Sequence, residues 1–435
     1  MAGGTFLTTN KVRAGVYINF RTNDTNGASV GERGTAALPM ELSFGPAGQL
    51  IPVDRDTNVK ELFGFDSASE ELLLLRECAK RASKVLVYRL KDGVKATGTG
   101  GGLTVTAKYG GGRGNDFTVK VAEEEELFRV ETWLDGEKLD SQIVSDIGGL
   151  KPNAWVEFSG EGPLTAQAGI KLANGSDGEA DQTSYEAFFK ALETADYQTL
   201  AVPSDDSAVK QAAVSFVQNM RENEGVKIQA VVAGYPQADY EGIISVKNGV
   251  VLEDGTSISK EMATAYVAGM TAGAQVNESN TYDAYDGAAD VAERYTNSQI
   301  ITALEAGEWV FIPKDGKVVV EQDINTFTSH TPEKGAAFSK NRLVRVMDTL
   351  ANDVKKIFED RYLGKVGNSA DGRSLFQAEL VNYLGQLMEI GAIDAFDSRE
   401  DIEVLRGSTA DAVIVNLAIQ PVDSMEKLYM TVEIQ

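Results

Sequence analysis

One cysteine and one histidine in 435 residues leave little room for metal or nucleophile chemistry. Cys78 alone closes no internal disulfide and builds no cysteine-based zinc site. It lies in the apolar-rich run 72–82, which reads as a buried structural thiol. A Ser–His–Asp arrangement would have to use His330, which sits in a Thr/Ser-rich stretch just before Pro332 and reads as a linker residue. No run of 18 apolar residues occurs, so no membrane-spanning helix is expected. The opening Met1–Thr5 has neither the basic nor the apolar region of a secretory signal, so the expected place of synthesis and assembly is the cytoplasm.

Positive charge is also short. Lys and Arg total 41 against 65 Asp and Glu, a formal net charge of −24. Such a surface repels phosphate backbones and anionic bilayers, which argues against a nucleic-acid partner and against direct membrane insertion. The glycine-rich 110–116 lacks the Gly-Lys-[Ser/Thr] ending of a phosphate loop and lies between strand candidates, not before a helix. The acidic 174–186 has Gln182 where a calcium loop needs glycine. Glu123–Glu126 has no histidine partner and reads as a solvated turn. No cofactor, metal or catalytic residue is expected.

What is present reads as a folded chain of two to four domains, with 43% hydrophobic residues. Val16, Ile18 and Phe20 alternate with Tyr17 and Asn19, the period-2 mark of a half-buried strand. A helix is expected over 69–83 and a strand over 84–90. From 91 to 172 short strand candidates alternate with glycine clusters, which suggests an all-β insert. The helix–strand pattern then resumes, with helices expected over 185–193, 205–223 and 260–274 and a strand over 227–233. A hairpin is expected from 308–313 and 317–322 around Asp315-Gly316. Leu343, Met347, Leu350, Val354 and Ile357 form one apolar helical face, and Phe376, Leu380, Leu384 and Leu387 another. Two strands are expected at the end, over 412–419 and 427–435.

The fold class that follows is mixed α/β (α+β) and multidomain. A strand arm over 1–20 leads into a central α/β core, 21–90 and 173–330. A β-sandwich-like domain, 91–172, is inserted into that core. A C-terminal helix-plus-strand module, 331–435, ends in a second strand arm. Both terminal strands have an apolar face, and neither carries a proline that would blunt pairing. They could close a sheet within their own chain or add to sheets of neighbouring chains. A nine-residue strand spans about 30 Å. Its four to six backbone hydrogen bonds would contribute roughly 1 kcal/mol each.

Several stretches bear on that choice. Gly3-Gly4-Thr5-Phe6 with Asn10–Phe20, then Leu172–Gly178, then Ile324–Thr328, 338–363, 368–393 and 412–435 occur in an order that resembles the tail sheath proteins of contractile phages. The similarity is greatest to sheaths of the defective-prophage and R-type bacteriocin (diffocin-like) branch. Where that family often has Gly-Gly, this chain has Asn174-Gly175, a mild departure because Asn tolerates the left-handed conformation.

The resemblance implies a structural subunit and not an enzyme. It implies hexameric rings of the chain itself, stacked around an inner tail tube protein and bounded by baseplate and tail terminator proteins. Contraction would drive the tube through a target envelope, in a particle released from the bacterium. The inter-subunit arms would run through Val16, Tyr17, Ile18 and Phe20 at one end and Leu428, Met430, Val432 and Ile434 at the other. Lys340, Arg342 and Arg345, a basic cluster at a helix start, are candidates for facing the tube. The alternative reading is a tail-associated carbohydrate-binding or peptidoglycan-hydrolysing protein.

Overall fold

The computed structural model describes residues 2–4, 15–17 and 30–434. Strands β1 (Ala2–Gly4) and β2 (Gly15–Tyr17) pair in parallel, Ala2 opposite Gly15. The central body begins with β3 (Thr35–Met40), β4 (Leu50–Val53), α1 (Val59–Phe63), α2 (Leu73–Ala79) and β5 (Lys84–Arg89). An all-β excursion follows: β6 (Thr97–Gly100), β7 (Leu103–Ala107), β8 (Thr118–Glu124), β9 (Leu127–Leu134), β10 (Glu137–Val144), β11 (Val156–Ser159) and β12 (Gln167–Lys171).

The chain returns to the body through α3 (Gln182–Leu192), β13 (Thr199–Ala201), α4 (Ser207–Glu222), β14 (Gln229–Ala233) and β15 (Ile243–Val246). Next come β16 (Val250–Leu252), β17 (Ser257–Ile258), α5 (Lys260–Gly273), β18 (Ala288–Val291), α6 (Asn297–Glu305), β19 (Glu308–Trp309), β20 (Phe311–Lys314) and β21 (Lys317–Val320). The last part holds α7 (Asn341–Arg361), α8 (Ala370–Glu389), β22 (Ile393–Asp394), β23 (Ile402–Arg406), β24 (Val413–Leu417) and β25 (Gln420–Pro421).

The body is a seven-stranded sheet in the order β19-β15-β14-β13-β3-β5-β4, parallel except for β4. Helices cover both faces, so its strands read as unbroken apolar runs; every residue of β14 is buried. Alternate side chains divide between two cores. Leu38, Val87 and Val231 pack with α2 and α5, while Ala37, Tyr88, Leu200 and Val232 pack with α3 and α4. The α2–α5 contact is close because two glycines one turn apart permit it. A Cβ on Gly269 would lie 2.1 Å from the Cys78 carbonyl oxygen, and one on Gly273 equally near that of Arg81.

The excursion is a β-sandwich of two sheets, β10-β9-β8-β12 and β11-β7-β6, closed over Val105, Phe117, Val119, Val130, Val156 and Ile170. Where it joins the body, Arg89 is fully buried and donates to the carbonyls of Leu42, Gly45 and Gly110, at 2.5, 2.7 and 2.8 Å. The β3–β4 loop and the loop after β7 are thereby tied to one strand end. Asn174, on the return path, has φ 64°, the left-handed conformation its side chain tolerates. In the C-terminal part, α7 and α8 pack on β22–β25 around Tyr383, Leu384, Leu387 and Ile402. Gly391, at φ 70°, ends α8. The mixed α/β, multidomain class expected from the sequence is the one observed.

Three expectations need correction. The helix over 69–83 is a 3₁₀ turn, Glu70–Leu72, followed by the shorter α2. The hairpin forms around Asp315 and Gly316, at φ 50° and 77°, but its first strand divides: β19 joins the body sheet and only β20 pairs with β21. The strand expected over 427–435 is not formed by residues 427–434. A strand exists only with a partner's backbone beside it, and none of the described residues supplies one.

Candidate functional site

The C-terminal segment leaves the body at a small polar cluster. Lys340, at the start of α7, places its Nζ 2.6 Å from Glu426 and 3.0 Å from Asp423. Glu426 also accepts from Thr281 Oγ1 at 3.0 Å and Ser424 Oγ at 3.0 Å. Its side chain is only 8% exposed. Burial alone would lower the Lys340 ammonium, but its bonds to Glu426 and Asp423 outweigh that and hold it above its ordinary value. Glu426 thus anchors the start of the C-terminal segment, the root of the arm expected from the sequence.

Past that root the contacts stop. Leu428, Met430, Val432 and Ile434 are 86, 74, 69 and 96% exposed. Tyr429 on the opposite side is 90% exposed, so neither face of the segment is covered. Among the described residues, no hydrogen bond or ion pair ties 427–434 to the rest of the chain. At the other end, Val16 and Tyr17 lie in β2, whose backbone pairs with β1, while Ile18 and Phe20 lie outside the described residues.

The basic cluster does not present three cations to a partner. Lys340 is held by the arm root. Arg345 is 1% exposed, donates to the Glu278 carbonyl at 2.6 Å and pairs with Asp323 at 3.4 Å. It has no surface to offer a tube, which corrects that part of the expectation. Arg342 is half-buried, with an Nε that lacks a hydrogen-bond partner. Sequence reasoning missed Thr281 and Glu426. The one available signal was the complementary charge of Lys340 and Asp423/Glu426, residues too far apart in the chain to be paired by spacing.

His330 Nε2 lies 2.7 Å from Ser339 Oγ, which at first suggests a catalytic dyad. The Ser339 hydroxyl, however, donates to the Phe327 carbonyl at 2.7 Å. The imidazole must then donate to the serine oxygen, the reverse of a general base that accepts the serine proton. Cys78 is buried, and burial pushes its thiol up to about 12. Among the described residues no group of three or more His, Cys, Asp or Glu could hold a metal ion. Among the described residues no helix is long and apolar enough to cross a membrane.

The body, sandwich and C-terminal part are each matched by a family model. Residues 33–90 match the tail sheath protein Gp18 domain III N-terminal region, and 91–177 the phage tail sheath protein beta-sandwich domain. Residues 178–326 match the phage tail sheath protein central domain, and 333–435 the phage tail sheath C-terminal domain. The chain belongs to the phage tail sheath family.

A sheath tail protein of known structure from Desulfitobacterium hafniense is 49% identical, with a TM-score of 0.87 over 96% of this chain and 99% of that one. The phage-like element PBSX protein XkdK of Bacillus subtilis is 37% identical over the whole of both chains. The anti-feeding prophage sheath in its contracted state shares the fold at 15% identity, with a TM-score of 0.60 over 96% of this chain and 98% of that one. The sheath family is a structural family and not an enzyme family, and a tail sheath role follows for this chain.

Proposed function

We propose that this sheath subunit polymerises as stacked hexameric rings around an inner tube and contracts to drive that tube through a cell envelope. Both termini would add strands to sheets of neighbouring copies. The observation that carries this reading is the uncovered apolar row Leu428, Met430, Val432 and Ile434, which follows a root anchored at Glu426. An apolar, β-patterned segment exposed on both faces is unfavourable in water and is stabilised when another chain supplies a sheet edge. Its backbone hydrogen bonds would contribute roughly 1 kcal/mol each. An arm bonded in that way can stay attached while the bodies rotate about its root.

Contraction of this kind needs no nucleotide; it runs downhill by forming better contacts between bodies. The net charge of −24 would space the subunits in the extended state, so the contraction threshold should depend on ionic strength. Partners would be the chain itself, the inner tube protein, and baseplate and terminator proteins, assembled in the bacterial cytoplasm before release. The division into arm, core, insert and C-terminal module is retained as part of this proposal. The three cations at the start of α7 are not, because Lys340 and Arg345 are neutralised within the chain.

Negative-stain microscopy of the full chain co-expressed with its tube protein tests the reading. Contractile tubes are expected from the full chain and none after deletion of 427–435. Normal contractile tubes from the deleted chain would overturn it.

A further inference from the structure

Beside the arm root lies an open groove of about 910 Å³. It is lined by Tyr282, by Ile301 and Leu304 on α6, by Met425 next to Glu426, and by Arg342. Three of these apolar side chains face solvent: Tyr282 is 54% exposed, Ile301 47% and Met425 104%. They share the groove with Glu305, Glu321, Arg342, Glu426 and Lys427, so exposed apolar side chains are set among charged ones.

Tyr282 is unusual in its backbone. Its φ of 61° is left-handed, a conformation that suits glycine or asparagine and is unfavourable for an aromatic residue. The turn is held by its own N–H, which donates to the Val320 carbonyl at 2.7 Å. The turn also accepts from the Val320 N–H at the Asp283 carbonyl, 3.0 Å, and leaves the Tyr282 ring 54% exposed. Strain maintained at a surface position marks a site where the side chain is used. Arg342 adds a guanidinium whose Nε is buried without a hydrogen-bond partner. Tyrosine, arginine and methionine are the residue types enriched at the centres of protein interfaces.

We infer that this groove is a docking surface for a second copy of this chain, with Tyr282 as its anchor. The occupant follows from continuity. Ser424 to Lys427 line the groove, and among the described residues no hydrogen bond or ion pair ties 428–434 to the rest of the chain. A body that takes up the arm next to its root would lie beside Tyr282, which lines the same groove as Met425 and Lys427. If both termini add strands to neighbouring copies, that body is a second copy of this chain. The inference therefore rests on the arm reading proposed above, and it adds a side-chain contact that backbone pairing alone does not require.

The test uses the full chain assembled with its tube protein. A photo-reactive p-benzoylphenylalanine replacing Tyr282 should give an adduct between two copies of this chain in tubes, and none in dilute unassembled protein. Tyr282→Asn keeps a residue that tolerates the left-handed turn while removing the ring. It should leave the melting temperature of the unassembled chain unchanged and raise the critical concentration for polymerisation about tenfold, the scale of a hot-spot truncation. An adduct to the tube protein, or no adduct in well-formed tubes, would overturn the inference, as would an unchanged critical concentration. The 427–435 deletion separates the two ideas. If it abolishes tubes while Tyr282→Asn polymerises normally, the groove fails and the arm reading stands. If the deleted chain still polymerises and still cross-links through position 282, the arm reading fails and the groove stands.

Discussion

Arg221 on α4 donates from Nη1 and Nη2 to both carboxylate oxygens of Asp348 on α7, at 2.6 and 2.8 Å. The pair is buried and joins the body to the C-terminal helices, with Glu241 a further 3.7 Å from the guanidinium. Desolvation alone would lower the Arg221 value, but the carboxylates outweigh it and hold the cation above its ordinary range. Removing one partner strands the other in a buried site. Asp348→Ala should therefore cost about 3–5 kcal/mol in urea unfolding, and an apolar replacement of both residues should cost less.

The arm root should loosen without unfolding the body. Lys340→Ala removes the cation between Asp423 and Glu426, so amides of 423–427 should exchange deuterium faster. The melting temperature should change little, because 428–434 are largely exposed and make no hydrogen bond or ion pair among the described residues. Unchanged exchange at 423–427 would show that Lys340 does not hold the root.

The same ion pair gives a pH dependence with a definite sign. The folded Lys340 value is raised, so its contribution is fully present below the unfolded value of about 10.5. It is lost as pH rises through the folded value. Exchange at the arm root should stay slow from neutral pH to about 10 and quicken above that. This shows as protection in the wild type that Lys340→Ala lacks, after correction for the intrinsic rate at each pH.

The α2–α5 contact should tolerate no added methyl group. Gly269→Ala would place a Cβ 2.1 Å from the Cys78 carbonyl oxygen, backbone that cannot rotate away. The helices must separate, at a cost of about 1–3 kcal/mol despite alanine's better helix propensity. Denaturant midpoints for Gly269→Ala and Gly273→Ala check this, with Gly385→Ala in α8, whose Cβ meets nothing within 4 Å, expected to be neutral or stabilising.

Cys78 should not react with a thiol reagent in the native protein. Its exposure is 0%, and burial pushes its thiol up to about 12, so almost no thiolate is present at neutral pH. Its labelling rate should follow unfolding in urea and serve as a probe of the body.

Much of this architecture was legible in the order of residues, because local rules decide it. The glycine clusters between short β-patterned runs marked the sandwich, the apolar stripes marked α7 and α8, and Asp315-Gly316 marked a hairpin turn. The paired cations and acids were not legible. Lys340 with Glu426, Arg345 with Asp323 and Arg221 with Asp348 meet only after the chain has folded, and no periodicity connects them. The basic stretch at the start of α7 looked free for the same reason: a charge run shows its sign but not its partners.

The division is clearest at the C-terminal arm. Alternation of Leu428, Met430, Val432 and Ile434 with polar neighbours is a property of the sequence, and it specifies a segment suited to a sheet. Whether that segment becomes a strand depends on a backbone edge within reach, which sequence cannot display. Tertiary structure decided that the root is pinned at Glu426 and that no such edge is offered by the described residues. A residue's own preferences are local, whereas hydrogen-bond ladders and ion pairs need two partners, and only folding determines which partners meet.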